Sequence, residues 1–219
     1  MSETKALDAP AIVKRVTENG MGFLRPRLFP EQPEIPLVPT RSDYDLNPHT
    51  RPQERRELAP AAVLLPIVMR ETPTILFTQR TAHLPRHAGQ VSFPGGRAHS
   101  GDLTLVETAL RETQEETGIE PAFVSIAGFL DPYETGTGYA ILPVVGLLAE
   151  GFALAPDANE VADVFEVPLA FLLDSKNRER HSREWQGKTR EFYAFTHDGR
   201  YIWGATAAIL VNFAERLSA

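Results

Sequence analysis

The 219-residue chain sets 22 Lys and Arg against 29 Asp and Glu, a formal net charge of −7, with 42% hydrophobic residues and no cysteine. Such a length suits one domain around a buried core, and the acidic balance argues against a general binder of nucleic acid or of a membrane surface. The lack of cysteine excludes disulfides, thiolate zinc sites and cysteine nucleophiles. No run approaches the ~20 apolar residues of a membrane span. The start, Met1 to Lys5, lacks a signal peptide's apolar stretch, so a cytoplasmic location is expected.

In chain order, Asp8-Ala9-Pro10 with Ile12, Val13 and Val16 predicts a short helix with an acidic N-cap, closed by Gly20. From Pro26 to Pro60 lie eight of the 18 prolines, which predicts an extended, irregular segment across the main body. Residues 1–57 are therefore read as an N-terminal extension and 58–219 as the main domain. Residues 61–69 and 74–80 read as strands around the turn Arg70–Pro73, and Gln90–Phe93 as a short strand. Residues 103–117 read as a helix ended by Gly118. Strands are expected at 122–130, 139–149, 161–167 and 190–196, a short helix at Pro168–Asp174, and a final amphipathic helix at Gly204–Leu217. Hairpins with few helices favour an α+β fold of mixed sheet over a doubly wound one.

The chemistry concentrates in Gly95-Gly96-Arg97 and the helix behind it. At 100° per residue Leu103, Val106, Leu110 and Thr117 share one side, while Glu112, Glu115 and Glu116 share the other. Thr104 to Glu107 fits a capping box, with Asp102 as the competing N-cap. Glutamates at i, i+3 and i+4 repel one another. Arg111 is placed to neutralise Glu115, with Glu107 holding Arg111 from behind, which leaves Glu112 and Glu116 as a carboxylate pair without a basic partner. Three glutamates alone are more often a solvated face. The glycine turn directly before them changes the balance, because it exposes N–H groups to phosphate beside oxygen ligands suited to a hard divalent cation.

This segment resembles the Nudix box at Gly96, Asp102, Arg111, Glu112, Glu115, Glu116 and Gly118, with Ile119 after the glycine. It departs in Asp102 for the usual glutamate, in one extra residue before Arg111, and in Thr113 for an aliphatic. The resemblance implies an α/β/α sandwich of mixed sheet and hydrolysis of a nucleoside diphosphate linked to another group, with Mg2+ or Mn2+. It implies Glu112, Glu115 and Glu116 as metal ligands and Arg111 as the residue that orients a glutamate, with Asp102 either a further ligand or a capping or supporting residue.

Residues 76–96, through Arg80, His83, His87 and Gly89 to Gly95-Gly96, resemble the coenzyme A pyrophosphatase signature, with Thr81 and Pro85 as departures. The implied substrate is coenzyme A or a derivative, cleaved to 3′,5′-ADP and 4′-phosphopantetheine. Arg80, His83, Arg86, Gly95, Gly96 and Arg97 are its expected contacts, since such a polyanion needs arginines in an acidic chain. Glu160 is the candidate base beside Arg111 and Glu115, with Glu134 as its competitor, and Glu166 is expected to pair across the sheet. Tyr201 or Trp203 either stacks on adenine or, as favoured, anchors the last helix as a core aromatic. ADP-ribose, nucleoside triphosphates and a catalytically silent binding module are the alternatives. No nucleic acid or membrane is expected as a partner, and a homodimer is left open.

Overall fold

The computed structural model describes residues 7–54, 56–83, 87–185 and 187–219. Helix α1 (Ala9–Leu24) is capped by Asp8, whose Oδ1 accepts the Ala11 N–H at 3.0 Å. It bends at Asn19 but does not stop at Gly20; Asn19 Oδ1 accepts the Gly22 N–H, capping the second half, which buries Phe23 and Leu24. The proline-rich stretch is irregular apart from two short turns and the two-residue strand β1 (Arg41–Ser42), and it runs over the body.

Strands β2 (Ala59–Val68), β3 (Thr74–Arg80), β4 (Val91–Ser92) and β5 (Gly95–Arg97) lead into helix α2 (Leu105–Thr117). After it come β6 (Val124–Phe129), β7 (Tyr133–Glu134), β8 (Tyr139–Leu148) and β9 (Val161–Pro168). Helix α3 (Leu169–Leu173), then β10 (Glu179–Trp185), β11 (Lys188–His197), β12 (Arg200–Trp203) and helix α4 (Ala205–Ser218) complete the described chain. The main sheet is mixed, ordered β1-β7-β8-β2-β3-β4, with β5 on β2, β6 on β8 and β9 on β3; β10, β11 and β12 form a second sheet. Strand pairs β1·β7 and β2·β8 are parallel and the rest antiparallel.

The near-continuous apolar run of β2 is explained by burial on both faces. Leu65 and Ile67 pack with α1, α3 and α4, while Ala62 and Leu64 pack with Leu105 and Ala109 of α2. This is the α/β/α sandwich of mixed sheet that the resemblance implied. Pro66 costs little in this central strand because its missing N–H falls where β2 changes partner from β5 to β3.

Five strands were not anticipated. Residues 179–185 lack apolar alternation, Arg200–Trp203 read as an aromatic anchor, and Arg41–Ser42 and Tyr133–Glu134 are too short to carry a period. Gly95–Arg97, expected as a bare turn, is a strand whose pairing with Ala61–Val63 pins the glycines to the sheet. Among the described residues, no helix is long and apolar enough to cross a membrane.

Candidate active site

Helix α2 starts on a reciprocal cap. Thr104 Oγ1 accepts the Glu107 N–H at 3.1 Å and Glu107 Oε2 accepts the Leu103 N–H at 2.7 Å. Glu107 is thereby committed to the cap and does not hold Arg111 as expected. The inward stripe also differs from expectation: Leu103 is 85% exposed, and the buried positions are Leu105, Thr108, Ala109, Thr113, Glu116 and Thr117. Leu103 lies ahead of the helix and escapes its periodicity. The threonines bury without loss because Thr113 and Thr117 return their hydroxyls to the carbonyls of Ala109 and Thr113, each at 2.6 Å. This stripe carries Glu116 inward.

Glu116 is only 4% exposed. Its Oε2 accepts the Gly95 N–H at 3.2 Å, and its Oε1 lies 3.7 Å from Arg80 Nη1. Burial pushes its carboxyl up to about 8, opposed by the Gly95 N–H hydrogen bond and the Arg80 charge, with the charges of Glu112 and Glu160 adding. Glu112 packs on the adjacent glycine so closely that a Cβ at Gly96 would run into its carboxylate. Both carboxylates thus abut residues 95–96. Neither lacks a basic neighbour: Arg80 approaches Glu116, and Arg111 Nη1 donates to Glu112 Oε1 and to Glu115 Oε2, each at 2.9 Å.

Asp102 grips Arg111 in a bidentate pair, Nε to Oδ1 and Nη2 to Oδ2, both 2.9 Å, and also accepts from the His99 N–H and the Thr108 hydroxyl. The Arg111 bonds hold the Asp102 carboxyl well below the usual range, and Arg111 is raised in turn. Thr104, not Asp102, caps the helix.

Glu112, Glu115, Glu116, Asp157 and Glu160 line one pocket of ≈ 210 Å³. The loop reaches it because the Asp157 N–H donates to Glu116 O at 3.3 Å and Asp157 O accepts from Glu160 and Val161 at 3.0 and 2.8 Å. Asp157 was overlooked in sequence although it stands three residues before Glu160. Glu134 lies elsewhere, 3.4 Å from Arg51 Nη1, and Glu166 pairs with Arg70 across the sheet. Among the described residues, no three His, Asp or Glu side chains stand preassembled at metal-ligating spacing; the arginines hold them instead.

The expected basic cluster is only partly gathered here. Arg80 touches the carboxylates, whereas exposed His83 meets Thr81 Oγ1 at 3.5 Å, His87 meets Gln90, and Arg86 lies outside the described residues. Arg97 is exposed, since side chains alternate along β5 and Gly96 takes the face toward Glu112. A larger cavity of ≈ 510 Å³, lined by Gln79, Gln90, Arg200, Tyr201 and Trp203 among others, contains no carboxylate of α2. Tyr201 is 39% exposed there rather than core, and Ile202 is the buried anchor.

The sequence profile of the NUDIX domain matches residues 58–186. This chain belongs to the Nudix family. It is 40% identical over 188 residues to the uncharacterized Nudix hydrolase NudL of Pectobacterium atrosepticum, covering 82% of this chain and 92% of that protein. NudL of Yersinia enterocolitica is 40% identical over 158 residues, 72% of this chain and 81% of its own. Among solved structures, the MutT protein of Methanosarcina mazei matches at a TM-score of 0.44 and 22% identity, over 55% of this chain and 84% of its own. The chain is a Nudix hydrolase, and Nudix hydrolases generally use divalent metal ions on small-molecule substrates.

Proposed function

We propose that this Nudix hydrolase cleaves the pyrophosphate bond of coenzyme A or its derivatives, yielding 3′,5′-ADP and 4′-phosphopantetheine or the acylated form. One juxtaposition carries the reading: Arg80 and Gly95, both within the stretch resembling the coenzyme A pyrophosphatase signature, touch Glu116 of the Nudix helix.

The donor set fits a magnesium or manganese ion. Hard carboxylate oxygens crowd one pocket, and burial with like charge penalises Glu116 in a way that a cation relieves. Glu112, Glu115 and Glu116 are assigned to hold it. When bound, such an ion neutralises charge on the diphosphate and activates water. The remaining roles belong to the chain itself. Arg111, fixed by Asp102, keeps Glu112 and Glu115 in place. The N–H groups around Gly95 and Gly96 and the Arg80 guanidinium receive phosphate oxygens. Glu160 accepts the proton of the attacking water as its oxygen bonds to phosphorus and the bridging oxygen departs. His83 and Arg97 take no step in this reading.

Turnover of coenzyme A, ADP-ribose and nucleoside triphosphates with Mg2+ or Mn2+ tests it. Equimolar 3′,5′-ADP and 4′-phosphopantetheine are expected from coenzyme A. Efficient cleavage of another substrate with coenzyme A left intact would overturn the assignment, and inactivity on all of them would point to a silent binding module.

A further inference from the structure

Among the described residues, strand β10 leaves an open edge. Among sheet-edge strands, β6 is met by the bridge between Phe29 and Phe129, and β9 is largely half-buried and ends in Pro168. By contrast β10 pairs only with β11 among the described residues, and Arg180 to Glu184 are exposed. Unpaired edge groups invite another strand, and proteins usually forestall this with brevity, charged side chains, proline or a bulge. Here the strand Glu179-Arg-His-Ser-Arg-Glu-Trp185 is seven residues long without proline or glycine, and its register with β11 is unbroken. Its charged residues Glu179, Arg180, Arg183 and Glu184 are of both signs, a pattern that repels a strand of one charge but not an antiparallel copy of itself.

Asn47 reveals which backbone groups face outward. Its carboxamide takes both the N–H and the C=O of Glu191, at 2.7 and 2.8 Å. In an antiparallel ladder, directly opposed residues either exchange both hydrogen bonds or neither. Ser182 lies opposite Glu191, so its own N–H and C=O point to the open edge. Those of Arg180 and Glu184, two residues away on either side, do the same.

We propose that β10 pairs antiparallel with β10 of a second copy of this chain, about a two-fold axis through Ser182. That register matches outward groups to outward groups and includes the whole strand. It sets Ser182 against the partner's Ser182, Arg180 against the partner's Glu184, and Glu184 against the partner's Arg180. Opposite charges directly across a ladder stabilise it. On the other face His181, bound to Glu179 at 2.6 Å, meets the partner's Arg183. The arrangement is isologous and closes at two copies, joining two three-stranded sheets into one of six. It stands independently of the catalytic reading.

Light scattering on the eluting protein is expected to give the mass of two chains. Ser182→Pro removes an outward N–H and no bond to β11, so it should give a monomer with an unchanged circular dichroism spectrum. Ser182→Cys introduces the chain's only cysteine. Across the axis its Cα atoms would lie about 5.5 Å apart, within disulfide range. Mild oxidation should therefore link Ser182→Cys into a covalent dimer and leave Ser100→Cys, in an exposed loop, unlinked. A monomeric parent chain, a Ser182→Pro dimer, or equal linking of the two cysteine variants overturns the proposal.

Discussion

Glu116 shows how burial turns an ordinary residue into a chemical one. Its folded-state carboxyl is raised from 4.5 to about 8, chiefly by burial, so folding disfavours the ionised form. The sign follows: as pH rises from the ordinary carboxylate range toward 8, the unfolded chain ionises first and the metal-free protein loses stability. Glu116→Gln should remove this slope, melt higher than the parent at pH 8 in a chelator, and lose Mn2+ binding by calorimetry. Parallel melting curves across pH for the two proteins would contradict the burial argument. The spacing of Glu112, Glu115 and Glu116 was legible because helix geometry is local. Which of them points inward was not, because buried threonines with satisfied hydroxyls displaced the apolar stripe from where hydrophobicity alone put it.

At the scale of elements, β5 joins backbone demand to site chemistry. Gly95 has φ +150, and a Cβ there would strike the carbonyl of Ala62 in the sheet; at Gly96 the obstacle is the movable Glu112 carboxylate. Gly95→Ala should therefore lower the melting temperature by several degrees, a loss of about 1–3 kcal/mol. Gly96→Ala should melt near the parent yet lose activity as Glu112 is displaced. Asn47 acts as a surrogate strand residue beside β11, well buried at 3% exposure. Asn47→Ala leaves the Glu191 backbone without those partners and should cost about 1–3 kcal/mol, with faster amide exchange at Glu191. Unchanged exchange there would mean that water replaces the carboxamide freely. Strands β2, β3, β8 and β9 were read within a few residues, since their apolar runs are long; β10 was invisible because its exposed faces require no hydrophobic alternation.

Across the whole molecule, the N-terminal segment is built into the body. Ile12, Val16, Phe23 and Leu24 join the largest core cluster, alongside α3 and α4. Full burial of such side chains is worth about 1.5–3 kcal/mol each. Asp131 ties the same parts together, accepting from Thr40, Asn212 and Arg216. Burial pushes this carboxyl up, but the three donors outweigh it and hold it below its ordinary value. A depressed folded-state value means stability present above the ordinary carboxylate range and lost as pH falls through it. Asp131→Asn should melt lower than the parent at pH 7, with the difference shrinking toward pH 3. A constant gap would assign the loss to packing.

The sequence by itself determined what is local: a capped acidic helix, the glycines before it, the absence of thiol chemistry, and the likeness of residues 76–118 to a known pattern. Only the tertiary structure decided that Asp157 joins Glu160 at the pocket while Glu134 faces Arg51, and that Asn47 stitches itself to Glu191, 144 positions away. Side-chain periodicity is set within a turn or two of backbone, whereas which loops meet depends on how sheet strands order themselves, a long-range choice that no short window of residues encodes.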